Sequence, residues 1–513
     1  MRRVCDEIWI LDLGGEGRGT RRSDNVFAIQ TPVAIALAVR SMKARKHKPA
    51  RTHYARIEGT REAKLATLDA IGSFAKVKWQ DCPDDWQAPF RPPGKGDYFD
   101  WPLLTDLMPW QHSGAQFKRT WPICPDPETL KRRWKALLAS GDRREAFKET
   151  RDRKITSKCP PLLEAEEATP PIDRLARNSP PPRIERYAYR SFDRQWILAD
   201  SRLGDFLRPD LWRAHGERQV YLTTLLNHPL GRGPAATACA LIPDLHHFRG
   251  SFGAKEVFPL YRRSGASEAN IMPDLLELLG GEYKRQKPSP EDFLAYVYGV
   301  VAQPSFTARF AKELETRELR VPITRDGALF ERVCDAGARL LWLHTYGGRV
   351  VPKSKQPGRV PAGRAKCTKA VPGHPGDYPE TFEYYDSKRV LRVGRGEFAP
   401  VAPEVYDFDV SGLKVVQSWL KYRMKDAAGK NSSPLNDIRP ERWTSQFTTE
   451  LLELLWVLEA TVEGYPEQAG LLEKVTKGDV FQVDELPSAP DEMRRPPRAH
   501  TTDANQLDLG EGS

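Results

Sequence analysis

The stretch that most constrains the fold lies near the start of the chain. Glu7-Ile8-Trp9-Ile10-Leu11-Asp12-Leu13 reads as a buried β-strand running into a glycine-rich loop, Gly14-Gly15-Glu16-Gly17-Arg18-Gly19. A short apolar run closed by glycine belongs in a sheet covered on both faces. A second apolar run, Pro32-Val33-Ala34-Ile35-Ala36-Leu37-Ala38-Val39, and a shorter third, His53–Ile57, come after it. Thr60 is the expected cap of a helix opening at Arg61. Parallel α/β sheets need several βα units before their faces are covered, and only the tail of such a sheet is expected here, over residues 1–75.

Residues 76–185 change texture and read as a helical, proline-rich connector. Tryptophans are widely spaced (Trp79, Trp86, Trp101, Trp110, Trp121, Trp134), and a charged helix is expected from Pro127 to about Arg153. Pro160-Pro161, Pro170-Pro171 and Pro180-Pro181-Pro182 mark extended segments. A β-rich block comes next, with strands expected at Gln195–Leu198, Gln219–Leu222 and Thr237–Ile242. Helices are expected from Pro290 to about Arg320, Asp326 to Leu343, near Ser411–Lys425 and over Ser445–Glu463, with a hairpin at Phe382–Tyr385 and Arg389–Val393. Residues 186–480 thus form one mixed β-rich and helical domain, and residues 481–513 a disordered tail. The fold class is α+β and multidomain.

Hydrophobic residues make up 40% of the 513, enough for sizeable cores. The net charge of +10 hints weakly at a polyanionic partner. No run of about 18 uncharged apolar residues occurs, so no membrane partner is expected. Asp6-Glu7 rules out a signal peptide, and the seven cysteines are scattered without a CxxC pair, against a disulfide framework or structural zinc. The expected compartment is the cytoplasm.

The glycine-rich loop invites a nucleotide or S-adenosylmethionine reading, because glycine lets backbone approach a ligand closely. Such a site wants a helix directly after the loop and an acid ending the next strand, to hold the ribose. Here the loop continues as Thr20-Arg21-Arg22-Ser23-Asp24-Asn25 and the next strand ends at Arg40, so a surface loop is the better reading. Methylation of a base amino group needs a polar residue, prolines and an aromatic ring to stack on the flipped base. Ser179-Pro180-Pro181 is followed by Pro182, with no ring, and reads as a linker. His246-His247 lack a third metal ligand, and Glu291-Asp292 suit a helix start. No catalytic, cofactor-binding or metal-ligating residue is assigned.

Basic segments are better evidence. Arg40, Lys43, Arg45, Lys46, Lys48, Arg51, Arg56 and Arg61 carry one acid among them, Glu58. Arg349, Lys353, Lys355, Arg359, Arg364, Lys366 and Lys369 carry none, in a glycine- and proline-rich loop suited either to phosphates or to solvent. Arg249, Lys255, Arg262 and Arg263 alternate with Phe248, Phe252, Phe258 and Tyr261, which suits groove recognition or core packing equally.

The stretch Asp6–Gly15, then Asn25-Val26-Phe27-Ala28-Ile29-Gln30 and Val33-Ala34-Ile35-Ala36, resembles the segment C-terminal to the catalytic NPPY motif in large adenine-specific DNA methyltransferases. Tyr189-Arg190-Ser191-Phe192-Asp193 is similar to the YRPFD string that opens the recognition domain of Type ISP restriction–modification enzymes, with Ser191 replacing proline. Asp292–Gly299, Arg320-Val321-Pro322-Ile323 and Trp419-Leu420-Lys421-Tyr422-Arg423 resemble their C-terminal specificity domain, so the resemblance spans roughly residues 5–480 in consistent order. It implies residual strands of a Rossmann-like methyltransferase sheet followed by a target-recognition domain that reads double-stranded DNA. The DNA-contact candidates are Arg190, Arg194, Arg249, Lys255, Arg262, Arg263, Lys353, Lys355, Arg359, Arg364 and Lys366. The donor-binding and NPPY motifs have no counterpart here. S-adenosylmethionine is therefore implied only for a complete enzyme, with an N-terminal methyltransferase or nuclease–translocase polypeptide as partner. The alternatives are an autonomous methyltransferase with a degenerate donor site, or a non-functional gene remnant.

Overall fold

The computed structural model describes residues 1–15, 24–29, 31–41, 48–83, 86, 90–92, 96–163, 167–427 and 429–497. Its N-terminal sheet is built on β1 (Glu7–Gly14), which pairs antiparallel with β2 (Val33–Val39) and parallel with β3 (Arg51–Arg56). The expected parallel sheet is thus half parallel. A short β4 (Gln80–Asp81) runs antiparallel to β3, and Cys82 N donates to Thr52 O at 2.8 Å, so this unit extends past residue 75. Thr60 Oγ1 accepts from Ala63 N at 3.3 Å and caps α1 (Arg61–Ala70) as expected. Leu11, Leu13, Ala55 and Ile57 are buried in a small core with Leu68 and Ile71 packed against it. β2 differs: no described residue covers it, and Ile35, Leu37 and Val39 are 46%, 43% and 45% exposed.

From Tyr98 to Phe481 the described residues contribute to one main core, with two satellite clusters beside it. Residues 97–185 therefore do not stand apart as a connector. Tyr98, Trp101 and Leu104 lie in the main core, β5 (His112–Ser113) pairs with a later strand at Lys255–Pro259, and β6 (Ile123–Cys124) with one at Asp193–Leu198. The last of these is β8, the partner of β7 (Ile184–Arg190) in a hairpin. β9 (Tyr221–Thr223) lies between β10 (Thr237–Cys239) and β11 (Lys255–Pro259). A third sheet runs β12 (Lys366–Lys369), β15 (Gly396–Ala399), β14 (Val390–Val393), β13 (Phe382–Tyr385).

Two expected helices are broken where the local chemistry forbids continuation. α2 spans Pro127–Ala139, capped by Asp126, and stops at Ser140-Gly141 before a short turn at Arg143–Phe147. α3 spans Pro290–Val301 behind a Ser289/Asp292 capping box. Pro304 has no N–H for the helical ladder and disfavours helix in the residue before it, so Gln303 is extended (φ −146°) and a new turn starts at Pro304. α4 (Gly327–His344) crosses α3 so closely that a Cβ on Gly337 would meet Ala295 O at 1.8 Å. Glycine is obligatory there.

α5 (Ser445–Lys477) outruns its expected end at Glu463, continuing through Pro466, which is exposed, because Leu471, Leu472 and Val475 find cover beyond it. Part of the expected disordered tail, residues 481–497, is ordered. Val480 and Phe481 are buried, and Arg262 donates to the carbonyls of Met493 and Arg495 at 2.6 and 3.0 Å. Residues 498–513 lie outside the described residues. No helix among the described residues is long and apolar enough to cross a membrane.

Candidate nucleic-acid interface

Tyr189-Arg190-Ser191-Phe192-Asp193 forms the tip of the β7–β8 hairpin, with Phe192 in the left-handed region (φ 65°). Its polar groups face inward. Arg190 lies 3.8 Å over the Tyr189 ring and donates to Asp244 Oδ1 at 2.7 Å. Ser191 N donates to His247 O at 2.7 Å, and its hydroxyl to Phe248 O at 2.8 Å. Asp193 accepts from Arg423 at 2.9 Å, both side chains being buried. Arg194 donates to Glu453 at 2.6 Å and stacks on Tyr346, while Arg186 pairs with Glu450. Buried charges cost on the order of several kcal/mol each unless paired, so this network fixes the hairpin against α5. Arg190 and Arg194, expected at DNA, spend their guanidinium groups on the protein.

The aromatic-flanked cluster divides in the same way. Arg262 is buried, with Nε on Glu268 at 2.5 Å, and Arg263 shares that carboxylate at 3.2 Å. Lys255 is exposed at the start of β11. Arg249 lies 5.1 Å over the Phe252 ring, which stacks on His228 at 3.9 Å. Glu256 accepts from the backbone N–H groups of Leu226, Asn227 and Ala254, tying together the two loops that carry these rings. Burial raises the Glu256 pKa above the ordinary carboxylate value, and the three N–H donors oppose that rise.

The second basic segment is where charge stays available. Gly358 N donates to Gly347 O at 2.8 Å and closes a loop over residues 347–358. Gly347 (φ +78°) has Arg359 N only 2.6 Å from where a Cβ would sit. Arg349 anchors the base through Gln219 O and Gly216 O, at 2.9 and 3.0 Å. Lys353, Lys355 and Arg359 project from this frame, exposed and without an ion pair among the described residues. Arg364 is exposed but salt-bridged to Glu459 and Glu463, whereas Lys366 and Lys369 are exposed on β12. Arg392, on the solvent side of the same sheet opposite Glu397, was not among the sequence candidates. Its alternation with buried Leu391 and Val393 is the signal that could have found it. Lys43, Arg45 and Lys46 of the first basic segment lie outside the described residues, while Arg56 pairs with Glu315.

The described residues at the N-terminal loop are engaged within the protein. Asp12 is taken by Tyr54 Oη at 2.6 Å and Gly14 N at 2.8 Å. The Asn25 side chain fills the space beside Gly15, within 2.5 Å of an ideal Cβ, and Gly17 and Gly19 lie outside the described residues. Ser179 lies in irregular backbone and its carbonyl accepts from Trp134 Nε1 at 3.0 Å. His247 is buried with Nδ1 2.9 Å from Thr223 Oγ1, and no group of metal-ligating side chains occurs among the described residues.

A family model described as the Type ISP C-terminal specificity domain matches residues 106–454, well over half of the chain. The chain belongs to this family. The match begins in the segment expected to be a connector, because β5 and β6 are strands of the specificity domain's own sheets. Three solved structures are similar in fold. A DrdV–DNA complex aligns with TM-score 0.60 and 17% identity, over 92% of this chain and 48% of that one. The ATP-dependent Type ISP restriction–modification enzyme LlaBIII bound to DNA aligns with TM-score 0.62 and 14% identity, over 94% and 31%. A nuclease-deletion mutant of the Type ISP enzyme LlaGI, in complex with a DNA substrate mimic, aligns with TM-score 0.57 and 15% identity, over 92% and 37%. The chain thus spans less than half the length of each. Among curated proteins none matches by sequence.

Proposed function

We propose that this specificity domain binds duplex DNA and reads the target sequence for an adenine-specific methyltransferase of a restriction–modification or phage-defence system. The observation that carries the reading is the closed loop 347–358 with its unpaired cations Lys353, Lys355 and neighbouring Arg359, set in a domain whose family is the Type ISP specificity domain. Lys255, Lys366 and Lys369 extend the set of charges open to phosphates or base edges. Arg190, Arg194 and Arg262 act as positioning residues that hold the frame.

Methyl transfer is assigned to an N-terminal polypeptide that supplies the S-adenosylmethionine site and the base pocket. The uncovered β2, apolar on both faces, supports a junction with that polypeptide, since a bare edge strand is a template for further pairing. The test is equilibrium binding of the chain to duplex DNA across a salt series. Binding no tighter than that of a neutral control protein at low salt overturns the reading.

A further inference from the structure

A cavity of about 90 Å³ lies between β6, β8, the hairpin tip and residues 422–440, away from the basic loop. At roughly 10–15 Å³ per water-sized atom it accommodates about six to nine such atoms, the size of one planar base ring. No acidic side chain lines it. Three tyrosines do, Tyr189, Tyr378 and Tyr422, and three cations, Arg133, Lys430 and Arg439. Arg133 is buried, with Nε held by Ile438 O and Nη1 by Trp121 O and Ile123 O. Its Nη2 has no partner among the described residues. Gln195 is 3% exposed, and its amide nitrogen is fixed on Asp193 Oδ2 at 2.9 Å. That bond orients the amide and leaves Oε1 without a partner among the described residues. An acceptor and a cationic donor, each on a side chain held in place by its other polar atoms, therefore open into one aromatic cavity with hydrogen-bonding capacity to spare.

We infer that this cavity binds a single nucleotide, its base among the tyrosines with an edge on Gln195 and Arg133, and its phosphate at Lys430 and Arg439. The nucleotide is either free or one unpaired from bound DNA, and the chemistry of recognition is the same. Saturation-transfer NMR and calorimetry on the whole chain, with each deoxynucleoside monophosphate and with inorganic phosphate, test this. At least one monophosphate binds saturably and phosphate alone binds far more weakly. Gln195→Leu weakens that binding about tenfold, the size of one lost hydrogen bond to a buried group. Lys430→Glu, at an exposed position, does so without touching the core, and decides the matter alone if Gln195→Leu does not fold.

Displacement of the monophosphate by a duplex carrying one unpaired nucleotide, but not by a fully paired one, assigns the source to DNA. Failure of both duplexes to displace it assigns a free nucleotide. Absence of monophosphate binding, equal binding of phosphate alone, or indifference to both variants overturns the inference. Paired-duplex affinity, measured in parallel, separates this failure from failure of the DNA-reading function.

Discussion

Ser191 donates its backbone N–H to the carbonyl of His247 at 2.7 Å, from the tip of the β7–β8 hairpin. Proline has no such donor, so Ser191→Pro leaves His247 O short of a bond and removes the hydroxyl bond to Phe248 O. Urea denaturation is expected to show a loss of about 1–3 kcal/mol. Unchanged stability would mean the bond contributes nothing.

Arg423 and Asp193 form a fully buried pair, with Glu450 3.7 Å from the same guanidinium. Arg423→Met strands the two carboxylates and is expected to cost about 3–5 kcal/mol, whereas Arg423→Met combined with Asp193→Asn recovers part of the loss. A double-mutant cycle by thermal or chemical unfolding measures the coupling. Additive losses would sink the assignment.

The exposed loop cations predict a salt signature. Neutralising Lys353, Lys355 and Arg359 together is expected to weaken duplex binding and reduce the slope of log K against log salt by about 2–3, roughly 0.9 for each phosphate no longer neutralised. Arg262→Met is expected to lower stability and leave that slope unchanged, since its charge is spent on Glu268 and the C-terminal carbonyls. A slope insensitive to the triple variant places the phosphate-binding groups elsewhere.

Two buried histidines are expected to make the domain acid-labile. Burial lowers the pKa of His247, next to Arg190, and that of His344, held by Tyr298 and Thr461, from 6.5 to about 3. The unfolded chain binds these protons below pH 6.5 and the folded chain does not until about pH 3. Stability is therefore full above pH 6.5 and falls as pH drops through that window, by about 1.4 kcal/mol per pH unit for each histidine. His344→Gln is expected to lower stability at neutral pH but to flatten the slope by about one proton in denaturation series between roughly pH 4 and 6.5. An unchanged slope would exclude His344 as a contributor.

What the sequence determined by itself was local. β1, β3, the Thr60 cap, the β13–β14 hairpin and α4 arise from short-range pattern and capping chemistry, which act over a few residues. The order of family-like strings also identified the specificity domain, but not its start near residue 106. Tertiary structure decided the rest. The helix expected to end at Glu463 continues through Pro466 because its later leucines are covered, and the apolar run at β2 is left exposed with no described residue over it. Among the basic residues, composition could not separate Arg190, Arg194 and Arg262, which are spent on buried or half-buried partners, from Lys353, Lys355 and Arg359, which are open. The reason is physical. A charge carries the same sequence signature whether solvent or a carboxylate compensates it, and the carboxylates here (Asp244, Glu453, Glu268) arrive from different distances along the chain. Gln195 and Arg133 made no pattern in the sequence at all, and only folding sets their open polar atoms around one cavity.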